Sequence, residues 1–215
     1  MRNSYLLPTL LSLLLLTFPA PGRSESGTLQ PLLGELQAAA EQTQTLASNF
    51  VQEKNLAIFS EKLLSQGRFF YQAPDRLRWE LLTPVASGFV LRGGEGERWN
   101  SLSQERTSFS VENDPIMGVI AQQLLAWARV DLDWLQRRYE MRLMSDDADS
   151  LRLTPLDQGE AGFIDYFLVQ FAPDRRYIAA ILLVEQGGDS TRIRFTDVQL
   201  NKELPKAIFQ SPELQ

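Results

Sequence analysis

The chain has no histidine and no cysteine in its 215 residues. Without histidine it lacks the side chain that most readily moves protons near neutral pH. Without cysteine it has no thiol nucleophile, no disulfide and no thiol for lipid attachment. Typical zinc sites are excluded with them. A long hydrophobic run is also missing. The most apolar stretch, Leu6 to Phe18, is interrupted by Pro8 and stops at Pro19, short of the roughly 20 residues that cross a bilayer. Preceded by Arg2 and followed by small, turn-prone residues as far as Ser26, this stretch reads as a secretory signal peptide with cleavage expected after Ser24. Basic charge is scarce too. The formal net charge is −6, and loss of Arg2 and Arg23 with the first 24 residues takes it to about −8. Such a chain repels phosphate backbones, so nucleic acid is not an expected partner. No G-x-S-x-G nucleophile elbow occurs, and Gly93-Gly94-Glu95-Gly96 is too short and wrongly placed for a phosphate loop. It reads as a turn.

Residues 25–215 have the length of one domain able to bury a substantial core. From Leu29 to Phe50 apolar residues recur with helical period, which predicts an amphipathic helix over that span. Extended segments follow at Asn49 to Ile58 and Ser65 to Tyr71, a turn at Pro74-Asp75, and a return strand Leu77 to Leu82. Side chains alternate along a strand, so Leu77, Trp79 and Leu81 share one face of it and Arg76, Arg78 and Glu80 the other. A hairpin is expected across Phe89 to Leu102 and a further strand near Thr107 to Val111. Asp114-Pro115 then marks a helix start, with an acid at the cap and proline in the first turn. The helix that follows, Pro115 to Arg129, is apolar on nearly every side, and a helical piece at Asp133 to Tyr139 comes after it. Strands are predicted at Glu140 to Met144, Leu151 to Leu153, Phe163 to Phe171, Tyr177 to Glu185 and Thr191 to Val198, with a short piece around Ile208-Phe209. Strands in runs joined by tight turns, with helices at the start and middle, give an α+β class with a curved antiparallel sheet.

The acids Asp146, Asp147 and Asp149 lack the ligand order and central glycine of a calcium loop, and adjacent acids in a loop are usually only solvated. Glu53, Glu80 and Asp165 stand alone on predicted strands. No catalytic residue, metal or cofactor is expected. What the sequence does offer is apolar surface: Phe69, Tyr71, Leu77, Trp79, Leu81, Phe89 and Leu91 fall on one dry face, and a helix apolar all round must be buried on all sides or face something other than water. Either an ordinary core or a cavity satisfies this pattern.

Three segments carry a family resemblance: "ASNFVQEK" at Ala47 to Lys54, "GRFFYQAPDRLRWELLTP" at Gly67 to Pro84, and "LLVEQGGDSTRIRFTDVQLNKELPKAIF" at Leu182 to Phe209. Together they resemble the periplasmic outer-membrane lipoprotein carriers, the LolA family, over nearly all of the chain after its leader. The resemblance implies an unclosed, strongly curved antiparallel half-barrel covered by a helical lid, with the acyl chains of a lipidated cargo held between sheet and lid. It implies a non-enzymatic, monomeric periplasmic carrier for a lipoprotein or other lipid. Such a carrier meets an inner-membrane donor and an outer-membrane acceptor in turn. The expected lining is Phe69, Tyr71, Leu77, Trp79, Leu81, Phe89 and Leu91 from the sheet, with Ile116, Ile120, Leu124 and Trp127 from the lid, and Trp79 foremost. The family's gate is an arginine immediately before the proline of the first hairpin; Ala73 stands there instead. A scaffold or protein-binding module of the same fold, its core filled, is the alternative.

Overall fold

A computed structural model describes residues 26–58, 61–144 and 147–213; the expected signal peptide, residues 1–24, lies outside them, as does Asp146. Among the described residues the chain begins with helix α1 (Ser26–Glu41) and runs into strands β1 (Thr45–Asn55), β2 (Lys62–Gln72), β3 (Arg76–Thr83), β4 (Ser87–Arg92), β5 (Glu95–Asn100) and β6 (Glu105–Ser110). Helices α2 (Pro115–Arg129) and α3 (Leu132–Arg138) then lead to β7 (Tyr139–Met144) and β8 (Asp147–Pro155). A short α4 (Gln158–Ala161) precedes β9 (Ile164–Phe171), β10 (Ile178–Glu185) and β11 (Ser190–Leu200), and a 3-10 turn, Lys206–Phe209, follows. The strands form one sheet in the order β6-β5-β4-β3-β2-β1-β11-β10-β9-β8-β7. It is antiparallel and open, since β6 and β7 are its two edges. The segment joining those edges is α2 and α3, so the helices cover the concave face instead of closing the barrel.

The first predicted helix is shorter than its periodicity suggests. It stops at Glu41, where the Thr43 N–H bonds the Ala40 carbonyl at 2.9 Å, and Thr45 onward is strand. Residues 45–55 pair with β2 along their whole length and with β11 on the other side. Two ladders of tertiary hydrogen bonds outweigh a weak helical preference in a stretch that carries Thr43, Thr45 and Asn49. Helix α2 begins as expected: Asp114 Oδ1 accepts the Met117 N–H at 3.0 Å and Pro115 occupies the first turn. It ends at Val130 in left-handed backbone, φ 45. The β4–β5 turn falls on Gly93 and Gly94, both at positive φ (59 and 91), which glycine adopts without steric cost. Helix α4, one turn capped by Asp157, was not foreseen.

Two apolar clusters fill the concave side. In one, Leu32, Leu33 and Leu36 of α1 and Leu132 and Leu135 of α3 pack on Leu151, Leu153, Phe167, Val169 and Ile181. In the other, Met117, Ala121 and Leu125 of α2 pack on Phe69, Tyr71, Leu77, Phe89, Leu91 and Phe109. Phe195 of β11 touches both. The opposite face of β3 behaves as its alternation requires. Arg78 is buried there, donating to Glu80 at 2.8 Å and to the Ile208 and Gln210 carbonyls at 2.9 and 2.7 Å, with its guanidinium 4.9 Å from the Trp99 ring. This ties the C-terminal segment to the outside of the sheet and leaves the inside apolar.

Candidate functional site

The middle of the concave face is aromatic. Trp79 stacks on Phe50 with ring centroids 4.2 Å apart and planes 25° from parallel, and Phe69 and Phe195 lie 5.9 and 6.4 Å from it. Phe50 reaches this position because Gly67 lies beneath it: a Cβ on Gly67 would fall 2.2 Å from Phe50 Cζ. Two hollows border the aromatic group and a third lies beyond Trp127. The first, about 540 Å³ including the part that opens to solvent, lies at the seam between the two clusters. Ser48, Phe69, Trp79, Ile181 and Phe195 line it from the sheet, and Leu124, Trp127 and Ala128 from α2. A second, wider and more open at about 760 Å³, lies towards β4–β6 between Leu81, Phe89 and Met117 and the polar Arg98, Asn100 and Thr107. A third, about 320 Å³, lies under α3 among Leu36, Leu135, Met141, Leu153 and Val169. Trp79 is a wall common to the first and second, and Trp127 to the first and third. Two partly buried indoles thus stand between neighbouring hollows.

The expected lining residues divide into three groups. Phe69, Trp79, Leu124 and Trp127 face the first hollow, and Leu81 and Phe89 face the second beside Trp79. Tyr71, Leu77 and Leu91 are on the correct face but fully packed beneath α2 and border neither hollow. Ile116 and Ile120 do not face the interior at all: they are 71% and 40% exposed. The expectation that Ile116 and Ile120 line the cavity from α2 is therefore corrected. Helical geometry turns Ile116, Val119 and Ile120 outward when Met117, Ala121 and Leu125 meet the sheet, and none of the described residues covers them. Sequence reasoning missed Ser48, Ile181 and Phe195. Phe195 was detectable in the Ile193/Phe195 alternation of β11, whereas Ser48 was hidden in the segment read as helix.

Polar groups near the hollow are few and specific. Ser48 Oγ and Trp127 Nε1, both on the wall of the first hollow, are buried without a hydrogen-bond partner among the described residues. Each such group costs roughly 1–3 kcal/mol if nothing satisfies it. Farther along α2, the Tyr139 hydroxyl lies 2.8 Å from the Gln123 side-chain oxygen and 2.6 Å from a Glu160 carboxylate oxygen, and Arg138 bonds the same carboxylate at 2.8 Å. One hydroxyl proton serves one acceptor, and the carboxylate is the stronger. Turning the Gln123 amide over would give the hydroxyl a donor and partner Gln123 Nε2, which is otherwise buried alone. Burial first, then the hydrogen bond and charge of Glu160, raises the Tyr139 phenol far above its ordinary value. Among the described residues no group of three or more acids could hold a metal ion, and no helix is long and apolar enough to cross a membrane. Asp149 is drawn into an ion pair with Arg175 at 3.0 Å, and Arg175 also binds Glu35 of α1.

Residues 41–212 match the family described as outer membrane lipoprotein carrier protein LolA. The chain belongs to that family. No curated protein matches it in sequence. Two solved structures share the fold at a TM-score of 0.53. One is MucB, also solved from Pseudomonas aeruginosa in complex with MucA; it is 20% identical, with 86% of this chain aligned to 63% of that one. The other is an uncharacterised conserved protein from Thermus thermophilus, 10% identical over 86% of this chain and 95% of its own. A LolA-superfamily protein from Nitrosomonas europaea aligns over 85% of this chain and 97% of its own at 12% identity and a TM-score of 0.48. Within this LolA-family chain, Ala73 at the gate position packs against the cluster under α2, and its N–H bonds the Gln44 carbonyl at 2.8 Å. The side-chain ties that hold α2 to its surroundings lie elsewhere: Arg98 to the Asp114 cap at 3.2 Å, and Tyr139 to Gln123.

Proposed function

We propose that this protein is a periplasmic carrier, exported on its first 24 residues, whose single domain takes up the acyl chains of a lipoprotein or other lipidated cargo for passage from the inner to the outer membrane. The observation that supports this most is the apolar hollow at the seam beneath α2, which shares Trp79 and Trp127 as walls with its two neighbours. Shielding hydrocarbon is worth about 0.8 kcal/mol per CH₂, so a chain of roughly 15 such groups would gain on the order of 12 kcal/mol by leaving water. An indole held by ring contacts alone can turn at modest cost, so a tail could extend past either one. The carrier makes no covalent bond, works as a monomer, and meets its donor and acceptor transiently. The test is mass spectrometry of whatever leaves the native periplasm with the purified protein. An acylated lipid in near-stoichiometric amount supports the reading. No lipid, together with no binding of a fluorescent fatty acid, rejects it.

The exposed Ile116, Val119 and Ile120 on α2 favour a second reading, a protein-docking module whose core stays filled. It predicts the negative outcome of that same experiment.

A further inference from the structure

Ser48 and Trp127 reach the same hollow from opposite sides, one from β1 and one from α2. Ser48 is 5% exposed, and its hydroxyl and the Trp127 indole N–H are both buried with no hydrogen-bond partner among the described residues. Beside them the wall is mostly apolar, with Phe69, Leu124, Ile181 and Phe195, and polar only where Arg176 and Tyr177 border it. The backbone is also irregular beside Ser48: the β1–β11 register shifts between Ala47 and Asn49, opposite Asp197, which sits at φ 53. The extra residue is on β11, where Asp197 and Val198 together face Ser48, and bulges cluster near functional sites. A pure hydrocarbon tail cannot use either donor. An oxygen acceptor attached to the tail can, and it must lie where the chain joins its headgroup.

We propose that the first hollow recognises the carbonyl oxygen of an ester- or amide-linked acyl chain, with the Ser48 hydroxyl and the Trp127 indole N–H as its donors. The proposal rests on the carrier reading and deepens it: the acyl carbonyl, and not the hydrocarbon alone, is recognised, and it fixes how deep the tail sits. Buried donors left unsatisfied are costly, so a site built for a polar group rejects the analogue that lacks it. The exposed Arg176 borders the same hollow, so an anionic headgroup is tolerated there and suits the probes.

The experiment compares three probes on the intact protein: 1-palmitoyl lysophosphatidylglycerol, its 1-O-hexadecyl ether counterpart, and N-palmitoylglycine. Binding is read by displacement of a fluorescent fatty acid. The carbonyl-bearing probes are expected to bind on the order of tenfold tighter than the ether. A preference shown by the ester alone or by the amide alone also supports the proposal and identifies the linkage. Ser48→Ala and Trp127→Phe should each shrink the ratio of carbonyl-probe to ether affinity, whatever they do to tail binding as such, and Ser48→Ala does so without altering the ring contact of Trp127 with Phe167 at 5.4 Å. If all three probes bind the unmodified protein equally, the carbonyl is not what the donors recognise and the proposal is wrong, although the carrier reading stands. If none binds, the carrier reading fails and takes the proposal with it.

Discussion

Gly67 has no space for a side chain. A methyl group there would meet Phe50 Cζ at 2.2 Å and the Glu80 carbonyl oxygen at 2.3 Å, and the second of these is backbone that moves only with β3. The ring above it is the one on which Trp79 stacks, so this single hydrogen sets the position of the aromatic group at the centre of the concave face. Gly67→Ala is expected to destabilise the protein by about 1–3 kcal/mol, the usual cost of overpacking. Urea denaturation measures this, and a change in tryptophan emission would report that the Phe50 to Trp79 stack has shifted.

Helix α2 has three kinds of surface, and they should respond differently to the same change. Ile120→Glu alters a residue 40% exposed on the outer side and should move stability by no more than about 0.5 kcal/mol with acyl binding intact. Leu124→Glu, one turn later on the wall of the first hollow, should weaken fatty-acyl binding by at least tenfold, because it sets a charge beside the tail. Thermal melts run beside binding titrations separate the two, and equal losses of folding and binding at Leu124 would instead mark a filled core. The far side of α2 is fastened through Gln123 to Tyr139. Tyr139→Phe removes that hydroxyl and should cost about 1 kcal/mol. Its titration gives a sign as well. The folded phenol keeps its proton above the ordinary value of 10.0 while the unfolded one releases it, so the native state binds more protons there and stability falls as pH rises past about 10. Below that value the contribution is fully present. Urea midpoints at pH 8 and pH 11 should therefore fall less in Tyr139→Phe than in the unsubstituted protein. Tyr71, raised mainly by burial, retains part of the decline.

At the scale of the whole molecule, the open sheet holds two cores that meet along a seam containing the first hollow, with Phe195 common to both. A tail in that seam would touch both cores at once, so cargo is expected to stabilise the domain as a unit. At free lipid about 100 times its dissociation constant the gain is about 2.7 kcal/mol. For a domain of this size that corresponds to a rise in melting temperature of roughly 5–10 °C. Delipidated and reloaded samples compared by calorimetry should show this rise in a single transition. Two resolved transitions would mean that the clusters unfold independently.

What the residues alone determined were features set by neighbours in sequence. Alternation placed Phe69, Tyr71, Leu77 and Trp79 on one face and Arg78 on the other, Asp114-Pro115 started α2, and Gly93-Gly94 made a turn. The family segments gave the open sheet and its lid. What tertiary structure decided was which apolar side chain meets a neighbour and which meets space. Tyr71 and Trp79 follow the same alternation, yet α2 lies close over the first and leaves a gap beside the second. Ile120 and Leu124 are one turn apart, yet only Leu124 turns towards the seam. Residues 45–50 suit a helix until β2 and β11 supply partners on both edges, and Ser48 joins the hollow only through that pairing. Periodicity is a property of the chain, but a cavity is what remains after distant elements have packed, and no local pattern records the distance between them.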